Sequence, residues 1–317
     1  MEILKLKPVF KDYIWGGNRL RDDFGFETGL DKTAEGWMLS CHEAGENTID
    51  GGAYDGKTFR EIIETYGEEA ICGKNALRFP YFPVLIKFID AFDNLSVQVH
   101  PDDAYARRVE NEFGKTEMWY VLDAKEGAEL IYGFKEKITK DAFRAAISDG
   151  TLLDKLNRVK VHRGDVFFIE AGTVHAIGRG ALIAEIQQNS NCTYRVYDYG
   201  RVGADGKPRE LHIDKAVDVS VTEPPKYDTK PMGEVLTRDG YTEQLLTECD
   251  LFTVKKFDIE TNLEGKTDGS TFHHILVLDG IGSVDGRPVK KGDSLFIPAN
   301  YGKYAVSGEL EIIMTSV

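Results

Sequence analysis

Cysteine is scarce in this chain of 317 residues, which contains only four, and no two of them have the CxxC spacing of a redox or zinc motif. Cys41, Cys72, Cys192 and Cys249 are therefore expected to be free thiols in a reducing compartment. No hydrophobic run is long enough to predict a membrane helix, and the amino terminus resembles no secretion signal. These absences predict a soluble cytoplasmic protein that does not bind membranes.

Basic residues are outnumbered, since 39 Lys and Arg stand against 53 Asp and Glu, which gives a formal net charge of -14. The acidic balance and the absence of a basic stripe argue against nucleic acid as a partner. The sequence also lacks a GxxxxGK[ST] phosphate loop and any glycine-rich turn between a strand and a helix, so a nucleotide fold is not supported. The glycines at 178 and 180 are better interpreted as a tight strand connection.

Helical periodicity is limited to three segments, at residues 58–66, 102–113 and 140–157, while most other segments alternate like strands. The chain is therefore predicted to be mainly β with a few helices. Its length is sufficient for one large or two moderate domains.

Four side chains on three separated segments predict one metal site. Gln98 and His100 are two apart in a predicted strand and face the same way, Glu117 begins a second strand, and His175 lies in a third. Each alone is more often an ordinary surface or hydrogen-bonded residue. Together they offer nitrogen and oxygen donors without a thiolate, which suits a divalent ion such as zinc in a catalytic rather than a structural site.

The other histidines serve as a comparison. His273 and His274 are adjacent, so in a strand they point to opposite faces and cannot both bind one ion. We expect these two, together with His162 and His212, to be structural or exposed.

Motifs over nearly the whole chain resemble a known family. They include YIWGG, EGWMLSCHEAG, LSVQVHPDD, GKTEMWYVLDA, AGTVHAIG and, as the most specific stretch, AEIQQNSNCTYRVYDYGR. These segments are similar to those of the short type I phosphomannose isomerases, which are zinc enzymes built on cupin barrels. The resemblance implies a mainly β fold of cupin-type double-stranded β-helix (jelly-roll) barrels.

The resemblance also assigns roles to individual residues. It implies one Zn²⁺ per chain with Gln98, His100, Glu117 and His175 as ligands, and Arg195 as the active-site arginine. Glu185, Lys115 and Lys87 match positions that line the family's pocket. The histidine-bearing segment at 162–177 is echoed by KKGDSLFIPANYGKYAV at 290–306, where Lys303 and Tyr304 stand near the place of His175.

We infer two related barrels, of which only the first keeps a metal. The proline-bearing stretch VTEPPKYDTKPMGE suits an extended connector between them. The expected division is a catalytic metal-binding cupin domain with helical elements at 1–230, and a carboxy-terminal cupin-like β domain without metal at 231–317.

The reaction implied by the resemblance interconverts mannose 6-phosphate and fructose 6-phosphate, by moving a proton between C1 and C2 through an enediol-type intermediate. Arg195 is expected to stabilise developing negative charge, and a salt bridge to Asp198 is the alternative interpretation of this residue. The proton carrier stays open between Glu185, Lys115 and a water activated by the ion. Lys87, Lys115, Arg195 and also Arg201 are candidates for binding the phosphate.

Two alternatives belong to other functional classes. Histidine and glutamate ligands on such a barrel can also hold iron in an oxygenase, although the neutral Gln98 favours a redox-inactive ion. A sensor that binds a sugar phosphate without converting it would keep the same residues. The expected partner in either isomerase or sensor is a small sugar phosphate, and the chain is expected to be a monomer or a homodimer.

Overall fold

The computed structural model describes residues 1–203 and 206–317, and strands dominate it as the alternating sequence predicts. The strands are, in chain order, β1 (Leu4–Lys7), β2 (Val9–Lys11), β3 (Glu35–Leu39), β4 (Thr48–Ile49), β5 (Val84–Asp90), β6 (Val97–Val99), β7 (Glu117–Ala124), β8 (Glu129–Phe134), β9 (Leu156–Lys160), β10 (Val166–Ile169), β11 (His175–Ala176), β12 (Ala181–Gln188), β13 (Tyr194–Tyr197), β14 (Leu236–Arg238), β15 (Tyr241–Glu248), β16 (Thr253–Ile259), β17 (Asn262–Thr267), β18 (His273–Val284), β19 (Arg287–Lys290), β20 (Ser294–Ile297) and β21 (Gly302–Ser316).

The helices are short. They are α1 (Arg19–Asp22), α2 (Phe59–Tyr66), α3 (Glu68–Cys72), α4 (Asp103–Val109), α5 (Lys140–Ser148), α6 (Leu152–Lys155) and α7 (Ile213–Val219), with 3-10 turns at Gly52–Tyr54 and Lys74–Arg78. Within the described residues, no helix has both the length and the apolar character needed to cross a membrane.

All three predicted helices begin where their sequences supply a cap, as α2 and α4 illustrate. At α2 the Thr58 hydroxyl accepts a hydrogen bond from the Glu61 backbone N–H, while the Glu61 carboxylate accepts one from the Thr58 N–H. At α4 the Asp102 carboxylate accepts from the Tyr105 N–H at 2.8 Å. These caps satisfy backbone donors that have no partner inside the helix, which explains why both helices start at the predicted positions.

The third predicted helix, at 140–157, was wrong in its second half. Helix α5 ends at Ser148 because Gly150 adopts φ of +71°, a left-handed conformation that stops a right-handed helix. After the short α6 the chain becomes strand β9, in which Leu156 pairs with Phe134 of β8. The buried side chain of Leu156 belongs to a sheet rather than to a helical stripe.

The first barrel is built from two facing sheets. A six-stranded sheet has the order β10-β7-β12-β5-β3-β2, and a five-stranded sheet has the order β13-β6-β11-β8-β9. Apolar side chains from both sheets form one cluster, in which Trp119 and Phe167 of the larger sheet meet Tyr132 of the smaller one. This arrangement is a jelly-roll, as the family resemblance implies.

The outer face of the six-stranded sheet packs against the second barrel. Phe88 and Met118 of the first barrel share a core cluster with Phe272, Phe296 and Ile313 of the second. A continuous apolar core therefore joins the two barrels.

The second barrel is a ten-stranded sheet that includes strands from both ends of the chain. Its main path is β14-β15-β16-β21-β18-β20-β1-β4, with β17 on β21 and β19 on β18. In the amino-terminal strand, Leu4 pairs with Phe296, and Leu6 pairs with both Ser294 and Ile49. Backbone pairing therefore crosses the boundary predicted at residue 230, and that division stays a prediction.

The two barrels share one strand arrangement. The order β10-β7-β12-β5-β3 of the first recurs as β20-β18-β21-β16-β15 in the second. The internal echo in the sequence aligns Ile169 with Ile297. In the sheets, Ile169 pairs with Glu117 and Ile297 pairs with His273. The internal echo in the sequence thus corresponds to equivalent strands in equivalent register.

Candidate metal centre and its cavity

Three of the four predicted metal ligands come together in the first barrel. His100, Glu117 and His175 can each offer one ligand atom, and these atoms lie within 4.8 Å of one another. His175 Nε2 lies 3.4 Å from Glu117 Oε1, and His100 Nε2 lies 3.6 Å from Glu117 Oε2. All three side chains are buried. The arrangement could hold a metal ion.

Each histidine of this cluster is oriented by a backbone carbonyl. His100 Nδ1 lies 2.9 Å from the carbonyl oxygen of Cys192, and His175 Nδ1 lies 2.8 Å from that of Thr173. A carbonyl can only accept, so Nδ1 carries the proton in both rings and Nε2 keeps its lone pair. A metal-binding histidine needs this tautomer and this support from a second residue.

The donor atoms of this cluster are better suited to contact a cation than to contact one another. Glu117 Oε1 and His175 Nε2 are buried and accept no hydrogen bond from the described residues, while Glu117 Oε2 is contacted by Lys115 Nζ at 2.7 Å. Burial lowers the pKa of His175 to about 3, and burial followed by the nearby charge of Lys115 lowers the pKa of His100 well below its usual value. Burial also raises the pKa of Glu117. Two neutral imidazoles and a carboxylate facing one point are a suitable donor set for a divalent ion.

Gln98, the fourth predicted ligand, lies beside this cluster. It pairs directly with His175 across strands β6 and β11, so both side chains lie on the same face of the sheet. It is half-buried and lines the cavity above the cluster. Its amide is placed where it could complete the donor set, and its role as a ligand stays a prediction.

A buried charge network lies next to the three donors. Lys115 Nζ is 2.7 Å from Glu117 Oε2, 3.1 Å from His100 Nε2 and 4.0 Å from Glu185 Oε1. Lys87 Nζ is 3.0 Å from Glu185 Oε2 and 3.7 Å from Glu35 Oε2. Glu117 is therefore no ordinary edge carboxylate, because it belongs to a fully buried set of alternating charges.

Glu185 is held ionised by this network. Burial alone would raise its pKa, but Lys115 and Lys87 outweigh burial, and the hydrogen bond from Trp119 Nε1 adds to their effect, so the pKa of Glu185 is lowered. Lys87 shows the reciprocal effect, since burial opposes its charge while Glu185 and Glu35 raise the pKa of the lysine. The pair therefore remains charged at neutral pH.

Arg195 does not form the salt bridge to Asp198 that was the alternative interpretation of this residue. Its Nε donates to the Ser96 hydroxyl at 3.3 Å, and Nη1 donates to the carbonyl of Glu210 at 2.9 Å. Asp198 instead accepts from Arg201 at 2.5 Å and from Arg209 at 2.6 Å. Among the described residues, no carboxylate lies within ion-pair distance of Arg195, so its charge is available to a ligand.

A cavity of about 290 Å³ opens above the donor cluster. Its lining includes the predicted site residues Lys87, Gln98, Lys115, Glu185 and Arg195. Arg201 was a candidate for phosphate binding but is absent from this lining, because its guanidinium is directed to Asp198 and to the carbonyl of Asn94.

Sequence reasoning missed several residues of the cavity. Arg209 lines the cavity although it lies outside the named strands and helices. Glu35 lines the cavity from the first position of β3. The remaining unpredicted polar and aromatic members are Tyr13, Trp15, Ser96, Asn191 and Thr193. Tyr13, Trp15 and Glu35 stand in segments that carry the family resemblance, which was the available signal, whereas nothing in the sequence indicated Arg209.

The comparison histidines lie away from the donor cluster. His274 is buried and its Nε2 lies 2.8 Å from the Ser294 hydroxyl, while His273 Nδ1 lies 2.6 Å from the Tyr304 hydroxyl. The side chain of His162 is 79% exposed. His212 Nδ1 accepts from the backbone N–H of Arg195 at 3.3 Å. Their prediction as structural or exposed residues is confirmed.

Family comparisons agree with this geometry. The catalytic domain of phosphomannose isomerase type I matches residues 3–144, and the cupin domain of mannose-6-phosphate isomerase matches residues 242–317. The chain is 40% identical over 323 residues to mannose-6-phosphate isomerase ManA of Bacillus subtilis, covering 99% of this chain and 98% of that protein. It is 38% identical over 316 residues to mannose-6-phosphate isomerase of Streptococcus mutans, covering 98% and 97%.

Solved structures give the same grouping. The crystal structure of the mannose 6-phosphate isomerase from Bacillus subtilis superposes with a TM-score of 0.91 at 37% identity, covering 99% of both chains. A putative mannosephosphate isomerase from Archaeoglobus fulgidus shares the fold at 22% identity with a TM-score of 0.78, covering 99% of this chain and 96% of that one.

Proposed function

The chain belongs to the type I phosphomannose isomerases, and from this premise we propose that it interconverts mannose 6-phosphate and fructose 6-phosphate with one zinc ion. The ligands would be His100, Glu117 and His175, completed by Gln98. The observation that carries the proposal is the cluster of three donors beside a cavity lined by Lys87, Lys115 and Arg195.

The metal would supply electrophilic chemistry. A zinc ion at this site would hold the sugar and polarise its oxygens at C1 and C2, which makes the hydrogen on the neighbouring carbon more acidic. Two imidazoles and a carboxylate can also hold iron, so the donor that favours zinc is the neutral amide of Gln98, which suits an ion that does not change its redox state.

Arg195 is the proposed cation that stabilises the enediol-type intermediate. Its guanidinium stays protonated at neutral pH even though burial, reinforced by Arg209, lowers its pKa. Arg195 also pairs with Gln98 across strands β13 and β6, which brings it beside the donor cluster. A fixed positive charge there stabilises negative charge that develops on the sugar oxygens.

The phosphate of the substrate would be bound by positive charges around the cavity. Lys87, Lys115 and Arg195 are the proposed residues, and Arg209 joins them on the basis of its position in the lining. The charge of Lys87 is largely offset by Glu185 and Glu35, so we expect the two arginines to contribute more to phosphate affinity. Local charges of this kind are needed because the chain as a whole is acidic.

Lys115 is the better placed of the two side chains proposed as proton carriers. Both oxygens of Glu185 are engaged, Oε1 by Trp119 Nε1 at 3.1 Å and Oε2 by Lys87 Nζ at 3.0 Å. Lys115 lies between the donor cluster and the cavity and makes contact with both. In this proposal Glu185 positions the two lysines, and Lys115 or a water it orients carries the proton.

A coupled assay for fructose 6-phosphate tests substrate, reaction and metal together. The protein is treated with a chelator, its metal content is measured, and turnover of mannose 6-phosphate is followed before and after zinc is added. We expect turnover to be lost with the metal and restored by zinc. Iron and cobalt serve as comparison ions in the same assay.

Other outcomes would support the alternative functions. Bound zinc with tight binding of mannose 6-phosphate but no product would favour a sensor over an enzyme. Oxygen consumption that requires iron would favour an oxygenase. Full turnover by a chain without any metal would contradict the metal proposal itself.

A further inference from the structure

The second barrel contains a cavity larger than the one beside the donor cluster of the first. It measures about 600 Å³ and is lined mainly by residues of β15, β16, β17 and β21. Its lining includes three aromatic rings, those of Tyr241, Phe257 and Tyr304, together with Lys255, Lys266 and His273. A volume of about 600 Å³ lies within the range of small-molecule sites.

Strand register relates this cavity to the metal cavity of the first barrel. In the first barrel, Glu185 of β12 pairs with both Trp119 and Lys87. In the second, Met314 of β21 pairs with both Ile275 and Lys255. Lys255 therefore occupies the position equivalent to Lys87, and Met314 the position equivalent to Glu185.

The same comparison shows that the metal donors have been replaced. His273 stands at the position of Glu117, because each faces the equivalent isoleucine of the neighbouring strand. The ring of Tyr304 lies directly over Gly265, within 2.1 Å of where a Cβ would be, and so takes space on the cavity floor. Within the described residues, the cluster of possible metal ligands is confined to the first barrel.

Because Met314 stands at the position of Glu185, Lys255 lacks the carboxylate partner that Lys87 has. Lys87 is held between Glu185 and Glu35, whereas Lys255 has no carboxylate within ion-pair distance among the residues described. Glu243, at the position of Glu35, is instead bound by Arg238 at 2.7 Å. The second barrel has therefore kept a lysine in its cavity lining, and because Lys255 is exposed and makes no ion pair with the described residues, its charge can contact an anion that enters from solvent.

The remaining lining suits the hydroxyl groups of a sugar. His273 is oriented by the Tyr304 hydroxyl at 2.6 Å through Nδ1, so Nε2 is the ring nitrogen left for a ligand. Glu248 and Glu264 add carboxylates that accept hydrogen bonds from hydroxyl groups. Tyr241 and Phe257 offer ring faces against which the C–H groups of a sugar can pack.

We propose that the second barrel binds a phosphorylated sugar without converting it, with Lys255 holding the phosphate. The site lacks the metal donors that the first barrel supplies, so binding there is separate from turnover. The proposal does not depend on the function proposed for the first barrel, because it concerns different residues and a different measurement.

Calorimetric titration with mannose 6-phosphate tests the proposal. It is carried out on the zinc-loaded Arg195→Ala protein, whose turnover is measured first, so that binding is titrated under conditions in which no product forms during the experiment. The Lys255→Met substitution in this background is expected to weaken one class of sites at least tenfold. Lys256→Met is the matched control, since Lys256 lies one residue further on the same strand and pairs with Asp258 and Glu311 instead of lining the cavity.

Two comparison ligands identify the chemistry that is recognised. Mannose and inorganic phosphate are each expected to bind this class of sites at least tenfold more weakly than mannose 6-phosphate. Equal affinity for inorganic phosphate would overturn the assignment of a sugar. A titration that is identical for Lys255→Met and its parent would overturn the site itself, whether or not the first barrel is active.

Discussion

Two histidines in the first barrel carry their lone pairs toward the same carboxylate, and each is fixed by one backbone carbonyl. Burying the Glu117 carboxylate beside two neutral imidazoles is costly unless a cation compensates, because the negative charge of Glu117 must be balanced by its neighbours. Lys115 supplies part of that balance. The side chains around the site are therefore arranged to favour a bound cation. Single substitutions can separate metal binding from the chemical step.

The first prediction concerns His175. Replacement by alanine removes an Nε2 donor from a three-donor cluster, so His175→Ala is expected to lose bound zinc and at least a hundredfold in turnover. His162→Ala is the matched control, because the exposed His162 lies outside the cluster. Metal content by mass spectrometry and the coupled assay check both proteins. Retention of stoichiometric zinc by His175→Ala would contradict the proposed ligand set.

The second prediction concerns Arg195. Because no donor atom of the cluster belongs to it, Arg195→Ala is expected to keep its zinc while kcat falls by a factor on the order of 100 to 1,000, as for loss of an oxyanion-stabilising group. Arg179→Ala, which removes an exposed arginine outside the cavity lining, is expected to behave like the parent. An unchanged kcat in Arg195→Ala would refute the proposed role.

The predictability of the site differed from residue to residue. Gln98 and His100 could be placed on a common side because alternation along a strand is a strict geometric rule. His175 lies on another strand, and its pairing with Gln98 is seen only in the structure. The partner of Arg195 could not be predicted, because Asp198 lies three positions away yet is claimed by Arg201 and Arg209. Competition between cations for one carboxylate depends on loop geometry, which the local sequence does not encode.

Among the structural elements, β1 links the first residues of the chain to the second barrel. Its inward side chains, Leu4 and Leu6, are buried between β20 and β4. No pattern within residues 4–7 indicates so distant a partner, whereas the end of α5 follows from Gly150, a local signal that the periodicity argument did not use. Elements defined by local rules are therefore easier to predict than their pairing.

The third prediction tests β1 directly. Leu6→Ala leaves a cavity where a fully buried side chain had packed, and the free energy of unfolding is expected to fall by about 2 to 5 kcal/mol. Leu77→Ala, at a position that is 49% exposed, is expected to change it by less than about 0.5 kcal/mol. Urea unfolding measures both. Equal stability of the two variants would mean that β1 contributes little to the second barrel.

At the scale of the whole molecule, buried neutral histidines set part of the response to acid. Burial lowers the pKa of His274 to about 3, so the folded protein leaves this ring unprotonated where an unfolded chain would protonate it near 6.5. Between these values the unfolded state binds more protons, and the free energy of unfolding therefore falls as the pH falls. The same sign applies to His273, whose pKa is lowered to about 4.

The fourth prediction follows from that sign. His274→Gln is expected to unfold at a lower temperature at neutral pH, but its melting temperature should decline less steeply than that of the parent between pH 6.5 and 4. The exposed His162→Gln should keep the parental slope. Melting curves are recorded after chelator treatment, so that His100 and His175 contribute equally in all three proteins. Parallel slopes for His274→Gln and the parent would contradict the argument.

Strand β1 also affects the order in which the two barrels can fold during synthesis. Leu4 is made among the first residues, but its partner Phe296 leaves the ribosome only near the end of synthesis. At ordinary translation rates the delay is roughly 15 to 60 s, far longer than the collapse of a newly made domain. The first barrel can therefore fold before Leu4 and Leu6 pair with β20, and the second barrel is completed when β20 pairs with β1.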